Sequence, residues 1–105
     1  MNPKPGEVYL VDFGLGGKTR PVVIVSREDP NAARALAVCV PLTTSERGGA
    51  YEVKIGKPKF LKQSSTANVQ GVLSVEHHEL VSLLGRISPE SLNEIKTALR
   101  WLLEL

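Results

Sequence analysis

The apolar residues of this 105-residue chain occur in short runs broken by glycine, proline and charged residues, and helical spacing is found only near the C-terminus. Runs such as Arg20–Ser26 are rich in β-branched residues, which favour strands. Several runs of this kind joined by short polar links, with one helix after them, predict a mainly β fold. Because domains usually contain about 50 to 200 residues, we expect residues 1–105 to form a single domain.

Short strands are predicted along most of the chain, at residues 6–13, 20–26, 35–41, 50–55 and 83–87, with one or two more between 65 and 75. The second run is almost entirely apolar, which predicts a central strand that is covered on both faces. Ala50–Ile55 alternates between apolar and polar residues, which predicts a strand with one exposed face. The expected architecture is a small, mostly antiparallel barrel or coiled half-barrel closed by one C-terminal helix.

The C-terminal helix has the clearest local signals. Ser88 can cap its free N–H groups, Pro89 suits the first helical position, and Glu90 places an acid in the first turn. Trp101 lies within the helical pattern, so we expect it to pack against the fold. The apolar residues that share one face of this helix are Leu92, Ile95, Leu99 and Leu102. A turn of helix is also expected at residues 76–80.

The composition excludes several classes of protein. Apolar residues make up 42% and charged residues 23%, which is near the average of soluble globular domains and unlike disordered, collagen or coiled-coil chains. The longest uninterrupted apolar stretch, Ala35–Leu42, is much shorter than the roughly 18 residues of a membrane span, and the N-terminus has no signal-peptide pattern. Cys39 is the only cysteine, so an internal disulfide is excluded. We expect a cytoplasmic protein with no membrane contact.

The charge distribution favours the first part of the chain as the surface that meets an anion. Residues 1–66 contain ten basic and six acidic residues, whereas residues 67–105 contain three and five. The cluster of Lys54, Lys57, Lys59 and Lys62 with Phe60 is either a solvated face or a patch that follows a nucleic-acid backbone beside a stacking aromatic.

Two apparent motifs do not predict functional sites. Gly17-Lys18-Thr19 resembles the end of a P-loop, but Asp12 stands where that motif requires glycine, and strand-forming residues follow. This loop is either a flexible hairpin link or a segment that folds over an anionic ligand. The adjacent pair His77-His78 points to opposite sides of the chain and has no further ligands at zinc spacing, so no metal site is expected.

Arg20 and the hydroxyls at residues 43 and 44 are the candidates for chemistry. Arg20 stands at the entry to the buried strand, either as a solvated strand end or as a rigid fork that grips phosphate. Thr43 and Thr44 follow an apolar strand, either as ordinary strand-end residues or as hydroxyls that orient a phosphate oxygen or a reacting 2′-hydroxyl.

Four segments together resemble the MazF/PemK family of toxin endoribonucleases, and the similarity extends from about residue 6 to the C-terminus. These segments occur in the family's order and spacing. They are Gly6–Asp12, Arg20–Ser26, Pro41–Ser45 and Leu84–Ser88.

The resemblance implies a small SH3-like antiparallel barrel with a C-terminal helix, and a homodimeric toxin of a type II toxin–antitoxin system. Such a toxin cleaves single-stranded RNA at specific sequences without a metal or other cofactor. Its partner is an antitoxin with an acidic tail, and the antitoxin complex binds operator DNA. By matching position, Arg20 and Thr43 are the catalytic residues. The residues expected to contact RNA are Lys18, Thr19, Thr44, Ser45, Asn68 and Gln70.

The chemistry implied by the resemblance is attack of the substrate's own 2′-hydroxyl on the adjacent phosphate, which leaves a 2′,3′-cyclic phosphate and a 5′-hydroxyl. The chain departs from the family at residues 68–71, where Asn68 and Gln70 replace groups that can transfer protons. The alternative is therefore a weakly active or silent relative that acts as a binding protein, or a gyrase poison of the CcdB type that relies on Trp101. Loss of gyrase inhibition in Trp101→Ala would favour that alternative.

Overall fold

The computed structural model describes residues 2–14 and 18–105, in which seven strands precede one α-helix. Two three-residue 3₁₀ helices, Val69–Gly71 and His77–Glu79, lie on either side of β6. The bounds are β1 Glu7–Asp12, β2 Thr19–Ile24, β3 Leu36–Thr43, β4 Glu52–Gly56, β5 Ser65–Asn68, β6 Leu73–Glu76, β7 Leu80–Arg86 and α1 Pro89–Leu103. The predicted mainly β fold with a C-terminal helix is confirmed. Gly16 and Gly17 of the predicted glycine-rich loop lie outside the described residues.

The strands form an antiparallel sheet in the order β4-β5-β3-β2-β1-β7, and β6 pairs with the first half of β3. On one side, β3 pairs with β6 through Leu36–Cys39 and then with β5 through Leu42 and Thr43. On its other side it pairs with β2. Within the described residues the end strands β4 and β7 are not paired with each other, so the sheet is coiled but does not close into a barrel.

β2 contributes to two cores because its successive side chains point to opposite faces of the sheet. Val22 and Ile24 pack in a cluster with Tyr9 and Cys39, and Val23 packs in the cluster beneath the helix. All three β2 residues are fully buried. The predicted central strand with two covered faces is confirmed.

The helix begins as its local signals predict. The Ser88 hydroxyl accepts a hydrogen bond from the backbone N–H of Ser91 at 3.1 Å, and Pro89 is the first helical residue. Ile95 and Ala98 are buried, and the other predicted apolar residues of this face are partly buried against the same cluster.

The expectation that Trp101 packs against the fold is wrong, because its side chain is 66% exposed. It follows Ile95 by six residues, which places it about 120° around the helix from that buried side chain. A position this far from the centre of the buried face lies on the flank of the helix.

Two strands begin two or more residues away from their predicted starts because of local irregularities. β7 begins at Leu80 rather than Leu83, since a register shift against β1 between Leu10 and Val11 interrupts the regular alternation there. β4 begins at Glu52 rather than Ala50, because Gly48 and Gly49 take positive φ values of 78° and 102° in the preceding turn. The expected helical turn near residue 77 is the second 3₁₀ helix. Among the described residues, no helix is both long and apolar enough to cross a membrane.

Candidate active site

A polar cavity of about 290 Å³ opens where β3 and β5 end, and four of the predicted site residues line it. These four are Thr43, Ser45, Asn68 and Gln70. The rest of the lining is Arg47, Gly48, Tyr51 and Glu52.

Strand pairing brings these distant segments together. Thr43 at the end of β3 is paired with Thr66 in β5, and Asn68 at the end of β5 is paired with Glu52 in β4. The backbone N–H of Val69 donates to the carbonyl of Tyr51 at 2.9 Å, which fixes the chain beyond β5 against the start of β4. The cavity is therefore built on three hydrogen-bonded strand ends.

The Thr43 hydroxyl is held in a defined orientation. Its Oγ1 accepts a hydrogen bond from the backbone N–H of Ser45 at 3.0 Å, and the side chain is half-buried. Because this bond uses an acceptor lone pair, the O–H proton remains able to donate to a ligand. An oriented hydroxyl donor of this kind suits a phosphate oxygen.

Arg20 lies in β2, the strand next to β3, and does not line the cavity. The last pair between these strands on this side is Val22 with Pro41, and the same register continued for two residues leads to Arg20 and Thr43. The Arg20 side chain is exposed, and no ion pair engages it in the part of the chain that is described. Its guanidinium is thus available to an anion.

The other predicted contact residues surround this pair at different depths. Lys18 and Thr19 are exposed at the start of β2, and Thr44 is exposed immediately after β3. None of these three lines the cavity. Asn68 is half-buried, whereas Gln70 is exposed in the following 3₁₀ helix.

The sequence reasoning missed the contribution of residues 47–52 to the cavity. Glu52 Oε1 accepts hydrogen bonds from the backbone N–H groups of Arg47 and Gly48 at 2.8 and 2.6 Å, so its carboxylate shapes the loop after Thr43. The only local signal in this segment is the pair Gly48-Gly49, which predicts a turn and no site. The position of this turn beside Thr43 depends on the pairing of β4 with β5 and of β5 with β3.

The remaining candidates are not brought to this cavity. The four lysines of the predicted basic cluster are exposed, but Phe60 is half-buried and packs against the core, which removes the stacking aromatic from that patch. Within residues 2–14 and 18–105 there is no group of three or more histidine, cysteine, aspartate or glutamate side chains placed to hold a metal ion. Burial, followed by the charge of Glu79, raises the pKa of the Cys39 thiol to about 12, so it is a poor nucleophile near neutral pH.

Comparison with known proteins identifies the family. The model of the PemK-like, MazF-like toxins of type II toxin–antitoxin systems matches residues 4–103. Endoribonuclease MazF1 of Mycobacterium bovis is 35% identical over 97 residues, which cover 92% of this chain and 89% of that relative. Endoribonuclease MazF4 of Mycobacterium tuberculosis has the same identity and coverage.

Solved structures agree with this assignment. A mycobacterial endoribonuclease in complex with its cognate antitoxin superimposes with a TM-score of 0.83 at 34% identity, covering 98% of this chain and 96% of that one. MazF in a MazE–MazF complex from Deinococcus radiodurans has a TM-score of 0.82 at 24% identity, covering 100% and 98%, which supports the fold alone. The match over nearly the whole chain, with this fold, shows that the protein belongs to the family of PemK-like, MazF-like toxins of type II toxin–antitoxin systems.

Proposed function

We propose that this chain, as a single toxin domain acting in the cytoplasm, is a metal-independent and sequence-specific endoribonuclease that cleaves single-stranded RNA. The observation that carries the proposal is the convergence of Thr43, Asn68 and Gln70 on one cavity, with Arg20 exposed in the neighbouring strand β2. The endoribonuclease names of relatives at 35% identity support the same activity.

The proposed reaction uses a nucleophile from the substrate. The RNA 2′-oxygen forms a bond to the adjacent phosphorus and the bond to the 5′-oxygen breaks, while one proton leaves the 2′-hydroxyl and another joins the 5′-oxygen. Arg20 and the Thr43 hydroxyl stabilise the charge that develops on the phosphate oxygens. The products carry a 2′,3′-cyclic phosphate and a 5′-hydroxyl, and DNA is not cleaved because it lacks the 2′-hydroxyl.

The surrounding polar residues are proposed to bind the RNA strand. Asn68 and Gln70 present amides that can hydrogen-bond to base edges, which is how single-stranded sequence is read. The exposed positions near Arg20 and Thr43 are proposed to contact the sugar–phosphate backbone. They are Lys18, Thr19, Thr44 and Ser45.

The proposed partners are a second copy of the chain and a cognate antitoxin whose acidic segment competes with RNA for the cavity, and whose complex with the toxin binds operator DNA. Val81 and Leu83 support dimerisation, since they are 56% and 53% exposed on the edge strand β7. A similar mycobacterial endoribonuclease has been solved with its own antitoxin. A monomeric mass by light scattering at micromolar concentration would contradict the dimer.

The test of activity is incubation of the purified protein with a long defined RNA in excess EDTA, with mapping of all new 5′ ends. We expect discrete cuts with 5′-hydroxyl ends that disappear in Arg20→Ala. Arg27→Ala is the matched control, because Arg27 is also an exposed arginine but follows the opposite end of β2. Intact RNA with the wild-type protein, or equal cleavage by Arg20→Ala, would refute the proposal.

The exposure of Trp101 favours one second candidate, a protein-binding role such as gyrase inhibition. An exposed tryptophan offers a large apolar surface to a partner. This candidate predicts inhibition of gyrase that is lost in Trp101→Ala while RNA remains intact. Cleavage of RNA by Trp101→Ala at the wild-type rate, without any gyrase inhibition by either protein, would exclude it.

A further inference from the structure

Asn68 occupies a capping position without using its side chain as a cap. It is the N-cap residue of the 3₁₀ helix Val69–Gly71, where asparagine usually accepts a hydrogen bond from a backbone N–H of the helix. Here the side chain makes no capping hydrogen bond, and it faces the cavity that Thr43 also lines. Asn68 is half-buried, and its amide oxygen and nitrogen are not among buried atoms that lack a hydrogen-bond partner. Both atoms remain accessible from the cavity.

The amide instead lies close to Gly71, which is also close to the ring of Pro41. A Cβ atom built on Gly71 would lie 3.0 Å from Asn68 Nδ2 and 2.9 Å from Pro41 Cγ. The contact with Pro41 is too short for an added methyl group, and the contact with Asn68 Nδ2 is tight enough that one of the two groups must move. The position of the Asn68 amide therefore depends on the absence of a side chain at residue 71.

Backbone conformation does not explain this glycine. Unlike Gly48 and Gly49, Gly71 does not have a positive φ. An alanine could adopt the same backbone conformation, so the requirement for glycine comes from the space around its Cα atom.

We propose that Gly71 is a positioning residue that holds the Asn68 amide in the orientation needed to read a base of the RNA substrate. The inference deepens the proposed function and rests on it. Pro41 lies within β3 and its ring cannot rotate away, whereas the terminal torsion of asparagine is soft. A methyl group at residue 71 therefore forces residue 71 away from the Pro41 ring and displaces the Asn68 amide that it also crowds.

The displacement can be measured without RNA. The chain has four asparagines and two glutamines, so a ¹H–¹⁵N spectrum contains only six pairs of side-chain amide signals. The pair that disappears in Asn68→Ala belongs to Asn68. We expect Gly71→Ala to shift this pair while the other side-chain pairs stay in place. Ser74→Ala, an exposed change in β6, is the control that should leave the Asn68 pair unchanged.

The functional consequence is measured as selectivity, the ratio of kcat/KM for the preferred RNA sequence to that for single-base variants. We expect Asn68→Ala and Gly71→Ala to reduce selectivity at the same base position, each by about tenfold, the size of one lost amide–base contact. In the Asn68→Ala background, Gly71→Ala should have no further effect on selectivity, because the amide that it displaces is absent.

The outcomes separate the inference from the proposed function. An unshifted Asn68 signal in Gly71→Ala, or an equal loss of selectivity in both backgrounds, would overturn the positioning role. If Gly71→Ala shifts the Asn68 signal but the wild-type protein cleaves no RNA, the proposed function is refuted. The reading of an RNA base is then refuted with it. A change in melting temperature without any change in selectivity would assign Gly71 a structural role only.

Discussion

Replacing Thr43 with valine tests the proposed chemistry most directly, because valine keeps the branched shape of threonine and removes only the hydroxyl. If the hydroxyl donates to a phosphate oxygen in the transition state, its loss should lower the cleavage rate by about 10²- to 10³-fold, which corresponds to about 2.7–4 kcal/mol of activation free energy. The assay is single-turnover cleavage of a defined RNA in excess EDTA.

The expected cost in stability is much smaller than this loss in rate. Thr43→Val removes the acceptor of the 3.0 Å hydrogen bond from Ser45, a bond in an exposed segment whose N–H can turn to water. The net contribution of such a bond is about 0.5–1.5 kcal/mol, compared with about 5–15 kcal/mol for the unfolding of a typical domain. The variant should therefore stay folded, and its melting temperature should show that unfolding does not explain the lost activity.

Thr43→Ser is the matched control, since it keeps both the hydroxyl and its bond from Ser45. It should retain most of the activity. Cleavage by Thr43→Val at a rate close to that of the wild type would refute the reasoning and leave Arg20 without its proposed hydroxyl partner.

Three further predictions concern the fold. Ser88→Ala should lower the free energy of unfolding by about 1 kcal/mol, because the hydrogen bond from the Ser91 N–H to the Ser88 hydroxyl is lost. This loss should appear as a drop of about 5 °C in melting temperature. Ser88→Asp restores a capping acceptor and should recover most of the lost stability. Cys39 should resist iodoacetamide at pH 8 in the folded protein and react once urea unfolds it, because its folded pKa is raised from 9.0 to about 12. Because of the same pKa shift, the contribution of Cys39 to stability is complete below pH 9 and is lost as the pH rises toward 12. Rapid alkylation of the native protein would contradict the raised pKa. Trp101→Ala should change the free energy of unfolding by less than about 0.5 kcal/mol, because the side chain is 66% exposed; a loss of several kcal/mol in urea titration would show that it packs.

Local patterns were sufficient for most of the secondary structure. The almost entirely apolar run Arg20–Ser26 predicts a strand that is covered on both faces, and in the structure the side chains of this strand contribute to two cores. Ser88 and Pro89 predict the start of the helix because the N–H groups of a first turn have no partner within the helix. Ser88 supplies a hydrogen-bond acceptor for one of them, and Pro89 has no N–H that needs a partner. These signals act over a few residues and are present in the sequence itself.

The predictions of strand start and side-chain burial were wrong where contact with a neighbouring element decides the structure. β7 begins earlier than predicted because its pairing with β1 continues through a register shift. Trp101 matches the helical period only loosely, and the extent of the surface that covers the helix decides whether its flank is buried. Phe60 could be a stacking platform by sequence, but it packs against the core.

The candidate site divides in the same way. The amino-acid sequence by itself determined the residue types, since Arg20 and Thr43 lie at the ends of recognisable strands and resemble positions of one toxin family, and Asn68 marks where the chain departs from that family. Only the tertiary structure decided that Thr43 and Asn68 share a cavity with Glu52, because strands distant in sequence pair through backbone hydrogen bonds whose register no local pattern specifies. The closeness of Gly71 to Pro41 has the same origin, since a chain can place a glycine against a proline ring on another strand only after the sheet has formed.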